Sequence, residues 1–547
     1  MSFFNFNPNK KELFQIENSN EPIKNKYNKN NKLDFSLTKN IEVLKDLLHF
    51  PDSNDLVFRL FDITINSEKY NALILFYDGL SDSEMINESL LRQLMREIKI
   101  EEPKSIIKSK NISNLKDILL GSMLTENQVS FADSYKKIID GILHGNSVLV
   151  VDTLDIAFVC DTKNIPMRSV NKAENEMTIK GPSEAFVEGF RTDTALIRKY
   201  VKDENLIFET IEIGNRSKTK CAIAYITSIT NDSLIEEVKK RLNGIDIDYL
   251  LDAGQVEQLI EDKTFIVEPL ILSTERPDKV ASNLTEGRIA IIVEGSPEVL
   301  IVPAVYSDFL RASEDSYVRY PYTLLLRFFR LPAVLFSVLL PGLYIAITTF
   351  HQEMIPTDLL FSIAGTREKV PFSMLIELLI MEVAFEIIRE ASIRTPAPVG
   401  PTLGIVGTLI LGQAIVTANI VSPILVIIVA LTGISTFAVP NFSLNYSYRI
   451  LRFIYIFLGS WCGFLGIAIG LFINMCLLST ANSFGVPYLT PYAPLRNSAV
   501  ADDFFALPIW KQENRPSFLK TKSKKKEPKI SMKWKWELRS DFIWVKI

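Results

Sequence analysis

The stretch 399–440, VGPTLGIVGTLILGQAIVTANIVSPILVIIVALTGISTFAVP, runs for 42 residues without a charged side chain. As one α-helix at 1.5 Å per residue it would reach ~63 Å, about twice the ~30 Å of a bilayer's hydrocarbon. It has to fold back, and Asn419-Ile420-Val421-Ser422-Pro423 supplies a polar, proline-bearing turn. The flanks carry the same signal. Residues 331–350 form another charge-free run of spanning length, and 451–479 is interrupted only by Arg452 near its start. Together these runs predict four membrane crossings in a transmembrane domain over 327–480.

A fifth segment is charged. Residues 372–393 read FSMLIELLIMEVAFEIIREASI, apolar but for Glu377, Glu382, Glu386, Arg389 and Glu390. At helical spacing Glu382, Glu386, Arg389 and Glu390 fall within an arc of about 100°, with Glu377 on the other side. An acid at the bilayer centre costs ~2.5–3.5 kcal/mol, so this stripe cannot face lipid. Two readings stay open. One is an amphipathic interfacial helix with Glu386–Arg389 and Glu390–Arg394 pairs. The other is a helix lining a pore or cavity, with Glu382, Glu386, Arg389 and Glu390 as ion-path or gating residues.

Charge and glycine placement add topology. The 547 residues carry 60 Lys and Arg against 64 Asp and Glu, yet from Lys511 onward twelve bases meet four acids. With Arg311, Arg319, Arg327 and Arg330 before the first span, the positive-inside rule places both ends in the cytoplasm and requires an even number of crossings. A crossing by the glutamate helix breaks that parity unless a re-entrant piece, within 471–489, restores it. Gly459, Gly463, Gly466 and Gly470 share one face of a continuous helix, as do Gly400, Gly404 and Gly407, and such faces let backbones approach closely. The 481–547 tail holds Trp510, Trp534, Trp536 and Trp544 among lysines. Beside a membrane block, that mixture fits an anionic lipid surface or a solvated cytoplasmic tail, and nucleic acid is not expected as a partner.

The first half reads differently. Residues 1–40, rich in Asn and Lys, are expected to be disordered. Behind them, ALILFY at 72–77 followed by a turn and helix is echoed by AIAYI at 222–226. HGNSVLVVD at 144–152 is echoed by EGRIAIIVE at 286–294, each followed by a second apolar strand in a hairpin pattern. The expectation is two tandem small α/β domains, 41–165 and 166–326, ahead of a polytopic helical membrane domain and a basic cytoplasmic tail. Catalytic signals are absent. No phosphate loop, dinucleotide fingerprint, zinc-protease or serine-hydrolase motif occurs. His49, His144 and His351 are scattered, and Cys160, Cys221, Cys462 and Cys476 form no close pair. The reading is of a protein that is not an enzyme, with no cofactor and no metal.

The chain resembles the A subunit of the GerA family of spore germination receptors from about residue 41 to 518. The resemblance rests on IKGPSEAF at 179–186, TERPD at 274–278, EGRIAI at 286–291, EVAFEIIR at 382–389, RTP at 394–396 and SFGVPYLTPYAP at 483–494. FIVEPLIL at 265–272 and EGSP at 294–297 depart from the family's pattern. The resemblance implies a subunit of the spore inner membrane, with soluble domains and tail facing the spore core. It implies a transporter-like B subunit and a lipoprotein C subunit as partners, and homo-oligomers of the A subunit around a conducting path triggered by small nutrients. The related stage V sporulation protein AF shares this architecture. The expected function is therefore a membrane subunit that forms or gates a cation path, with a non-conducting scaffold as the alternative.

Overall fold

The computed structural model describes residues 27–65, 68–96, 129–164, 180–394, 412–495 and 514–526, together with residues 115, 116, 119, 176, 178 and 512. The soluble half holds two five-stranded sheets of one design. β1 Leu56–Ile65, β2 Glu68–Tyr77, β3 Val129–Ala132, β4 Ser147–Val151 and β5 Ala157–Cys160 lie in the order β1-β2-β4-β5-β3. β6 Leu206–Ile213, β7 Thr219–Ile226, β8 Leu272–Thr274, β9 Ile289–Val293 and β10 Val299–Val302 repeat it as β6-β7-β9-β10-β8. The pairings are antiparallel in both. The echoes in the sequence fall on equivalent elements: β2 and β7 each lead into a helix, and β4–β5 and β9–β10 are the hairpins.

Alternation decides what each strand face meets. In the first sheet Leu73, Leu75, Val148 and Val150 pack with α1 Leu37–Leu47 and α2 Tyr135–Leu143. Ile74, Phe76, Leu149 and Phe158 pack on the other side with Ile86, Leu90 and Leu94. Covered on both faces, β4 (SVLVV) and β9 (IAIIV) are buried throughout, which is why each reads as a continuous apolar run. The second sheet is covered by α3 Phe190–Tyr200, α4 Asp232–Asn243, α5 Ala253–Ile260 and α6 Pro277–Glu286. Two guanidiniums of α3 join the two units, Arg191 at the surface with Asp78 at 3.1 Å and Arg198 within. Arg198 of α3 is buried, pairs with Asp55 (Nη2 to Oδ1, 2.9 Å), donates to Ser53 at 3.0 Å and lies 3.8 Å over the Tyr77 ring.

Two terminal expectations need correction. Residues 27–40, taken with the disordered leader, are folded: Leu33 and Leu37 are buried, and Asn40 accepts from the Tyr135 hydroxyl at 2.7 Å. The apolar pair outweighs the polar composition around it. Residues 1–26 lie outside the described residues. The 481–547 tail is also partly built into the fold. Ser483 donates to the Leu270 carbonyl at 2.7 Å, and Phe518 and Leu519 enter the second domain's core. Lys522 donates to the Thr227 carbonyl at 3.0 Å and Arg515 to that of Thr285 at 2.8 Å. The four tail tryptophans lie outside the described residues.

The helical half comprises α7 Tyr320–Phe350, α8 Thr357–Arg367, α9 Met374–Arg394, α10 Pro423–Thr436 and α11 Phe442–Ser479. Among the described residues two helical runs are long and apolar enough to cross a membrane, α7 and α11, where four crossings were expected; α11 reaches that length only as a 38-residue run that breaks at Gly463 into arms of ~31 and ~24 Å. α10 has 14 residues, ~21 Å, and stops short of a bilayer's width. Its partner stretch 399–411, with Gly400, Gly404 and Gly407, lies outside the described residues. A turn does fall at the expected place, with Asn419 at φ 56° and Pro423 opening α10.

α11 departs most from expectation. Gly463, at φ 60° and ψ −140°, breaks it. A Cβ placed on Gly470 would lie 2.6 Å from Leu458 and 3.0 Å from the Tyr455 ring, positions ~18 Å or more away along a straight helix. The arms 442–462 and 464–479 therefore run antiparallel as a helical hairpin, and both ends return to the second domain. Ser447 Oγ donates to the Val267 carbonyl at 2.5 Å, and Lys263 donates to the Thr480 carbonyl at 2.8 Å. A single apolar cluster runs from Leu272 and Val299 of the second sheet to Val338, Leu451, Tyr455 and Ile467 of the helices.

Candidate functional site

The acids of α9 meet cations from other elements. Glu377, fully buried, accepts from the Ser422 N–H at 3.1 Å and from Arg367 Nε at 3.3 Å. It thus sits at the N-terminus of α10, where the helix dipole favours negative charge. On the opposite side Glu382, also fully buried, pairs with Arg452 Nη1 of α11 at 3.0 Å. Arg452 Nε donates to the Ser337 carbonyl of α7 at 2.8 Å. That carbonyl is available because its helical partner would be the N–H of residue 341, which is a proline and has none. One ion pair and one proline therefore tie α7, α9 and α11 together. Glu382 Oε1 and Arg452 Nη2 remain buried without a hydrogen bond.

One turn further, Glu386 is shared by Arg449 of α11 and Arg389 of α9, the latter at 3.4 Å. Arg389 also donates to Thr436 Oγ1 at the end of α10, at 3.2 Å. Glu390 pairs with Arg394 at 2.7 Å on the exposed rim. The structure thus brings Glu382, Glu386 and Arg389 into one seam between α9 and α11 and leaves Glu390 at its edge. The local Glu386–Arg389 and Glu390–Arg394 pairs follow from helical spacing. Arg449 and Arg452, 63 and 70 residues from their acids, were not anticipated. The signal was there: Arg452 is a lone charge in an otherwise uncharged run and needs an acid to be buried.

The glycines divide into three roles, since no straight face connects them. Gly459 abuts Gly342 of α7: a Cβ at either would lie 2.6–2.7 Å from backbone oxygen across the contact. Gly463 is the corner of the hairpin, in a backbone region only glycine occupies readily. Gly466 and Gly470 sit inside the hairpin against Leu458 and Tyr455.

A polar junction couples this hairpin to the second domain. Tyr306 and Tyr448 share a hydroxyl–hydroxyl bond of 2.6 Å, and Asn474 donates to Glu268 at 3.0 Å. Burial pushes the Glu268 carboxyl above the usual carboxylate range. Glu268 belongs to the FIVEPLIL stretch that departs from the family pattern. Among the described residues no group of three or more His, Cys, Asp or Glu side chains is arranged to hold a metal.

Fold and site together define a class: a repeated α/β module whose second copy shares an apolar core with a helical half, and in which the acids of α9 are matched by arginine. The comparisons give the family. The sequence model described as "Bacillus/Clostridium GerA spore germination protein" matches residues 42–518, and the chain belongs to this family. It is 40% identical over 495 residues to Spore germination protein KA of Bacillus subtilis (strain 168), covering 90% of this chain and 88% of that one. It is 35% identical over 489 residues to Spore germination protein GerLA of Bacillus cereus, covering 89% and 97%. Among solved structures, the N-terminal domain of the A subunit of the Bacillus megaterium spore germinant receptor GerK3 is 34% identical. It matches 50% of this chain and 98% of that one with a TM-score of 0.38.

Proposed function

We propose that the chain is the membrane subunit of a nutrient-responsive spore germination receptor. In this reading it assembles with further copies and with transporter-like B and lipoprotein C subunits in the spore inner membrane, and gates a cation path. The observation that carries it is the seam. Burying Glu382 and Glu386 against Arg452 and Arg449 costs desolvation that an apolar contact would avoid, and buried ion pairs are retained where they specify or switch an arrangement. The paired seam is then the latched state, and opening exchanges partners along α9. Nutrient binding shifts that equilibrium only through different affinities for the two states. Docking of 514–526 on the second domain supports placing both on one membrane side, with an even number of crossings.

The second reading is a non-conducting scaffold, favoured by the same pairing: each described acid of α9 already has an arginine within this chain. Potassium release from nutrient-triggered spores carrying Glu386→Gln, at matched receptor levels, separates the two. Lost release or changed ion preference is expected. Unchanged release in both Glu386→Gln and Glu382→Gln spores would leave the scaffold.

A further inference from the structure

Where the second domain meets the helices there is a cavity of about 400 Å³. Lys279 and Arg311 of the domain, Arg389 of α9, and Asn445 and Arg449 of α11 line it. Lys279 is neutralised by Glu176 at 2.8 Å, and Glu314 also borders the space. Arg389 and Arg449 are different. Both rest on the single carboxylate of Glu386, so two guanidinium charges face one negative charge and one positive charge is left over. Asn445 Oδ1 is buried there with no hydrogen-bond partner.

Beside the cavity lies a groove of about 780 Å³ between α9 and α11, walled by Val383, Ile387, Ile450 and Phe453. Tyr446 and Arg449 line both spaces, so polar cavity and apolar groove are neighbours. Their order along α11 is informative. The cavity lies at its first turns, beside Ser447, which is bonded to the soluble domain; the groove follows α11 toward its apolar middle. Ile387 and Ile450, 64% and 55% exposed, are the groove's outer lips.

We propose that cavity and groove together hold one anionic phospholipid. The phosphodiester takes the surplus charge of Arg389 and Arg449, for which the planar guanidinium is well shaped. One acyl chain lies along the groove. Phosphatidylglycerol has this combination of net negative charge and chain; phosphatidylcholine has the chain without the net charge. The site does not depend on whether the chain conducts ions. Bound lipid competes with Glu386 for Arg449 and so sets how tightly α9 is held.

The test uses the full chain in nanodiscs, with native mass spectrometry counting retained lipid. Wild type is expected to retain phosphatidylglycerol over phosphatidylcholine, and Arg389→Gln to weaken that preference about fivefold, as expected for one basic side chain at a membrane surface. Ile387→Trp, which fills the groove and keeps every charge, should lose retention of both lipids while the melting temperature holds. Equal retention of the two lipids by wild type would overturn the proposal. So would undiminished phosphatidylglycerol retention in both variants. Glycerol phosphate binding as tightly as the lipid would make this a free-anion site instead. Disulfide formation between two copies carrying Ile387→Cys, with no lipid retained, would assign the groove to a second subunit.

Discussion

Ser337 and Pro341 show how one residue's chemistry places another. The proline removes the N–H that Ser337's carbonyl would accept, and Arg452 takes its place while holding Glu382. Removing one partner leaves the other charge buried alone, so Arg452→Met is expected to destabilise the detergent-solubilised chain by ~3–5 kcal/mol. The exchanged pair Glu382→Arg with Arg452→Glu should recover much of that loss in thermal melts. Asp193 of α3 gives a pH prediction. It is 1% exposed and accepts from the Val187 N–H at 2.9 Å, its second oxygen has no partner, and burial pushes its carboxyl up to about 8. A raised acid binds its proton more tightly in the folded state. Its stabilising contribution is therefore full below the ordinary value of 3.8 and is lost as pH rises through about 8. Asp193→Asn should flatten the fall in melting temperature over that window; an unchanged slope would place the dependence elsewhere.

At the scale of elements the decisive feature is the corner at Gly463. Positive φ with ψ near −140° is a region where a side chain costs ~1–3 kcal/mol, so Gly463→Ala should loosen the hairpin. Engineered cysteines at Leu458 and Gly470 report on it: they should cross-link in the wild-type background and far less in Gly463→Ala. The α7–α11 contact is equally specific. Gly459→Val pushes a side chain into the Gly342 backbone, with an overpacking cost of ~1–3 kcal/mol. Stripes of glycine in an apolar run announce a close approach, but the sequence did not say that two of the four lie inside a hairpin. Spacing near 3.5 residues looks the same on a straight helix and across a kink.

For the molecule as a whole, one core joins the second domain to the helical half, and the strap 514–526 closes back on that domain. Phe518→Ala should cost ~3 kcal/mol or more by leaving a cavity beneath the strap, and limited proteolysis should then cut within 514–526. A protected strap in that variant would mean that the Lys522 and Arg515 contacts suffice without the aromatic anchor. The strap's apolar content is two residues, Phe518 and Leu519, amid lysines, and local composition concealed it. The same holds for Leu33 and Leu37 near the other end.

By itself the sequence determined where apolar residues concentrate, that an uncharged run as long as 399–440 needs a turn near Asn419–Pro423, that the soluble half echoes one strand–helix and hairpin pattern, and that the glutamate stripe cannot face lipid. Each follows from hydrophobic periodicity, length and the cost of burying charge, which are local and additive. Only the tertiary structure decided which arginines answer the acids, that α11 turns at Gly463, and that parts of both terminal segments enter the cores. Those outcomes depend on contacts between residues far apart in the chain and on a single backbone dihedral, and neither leaves a periodic trace in the order of amino acids.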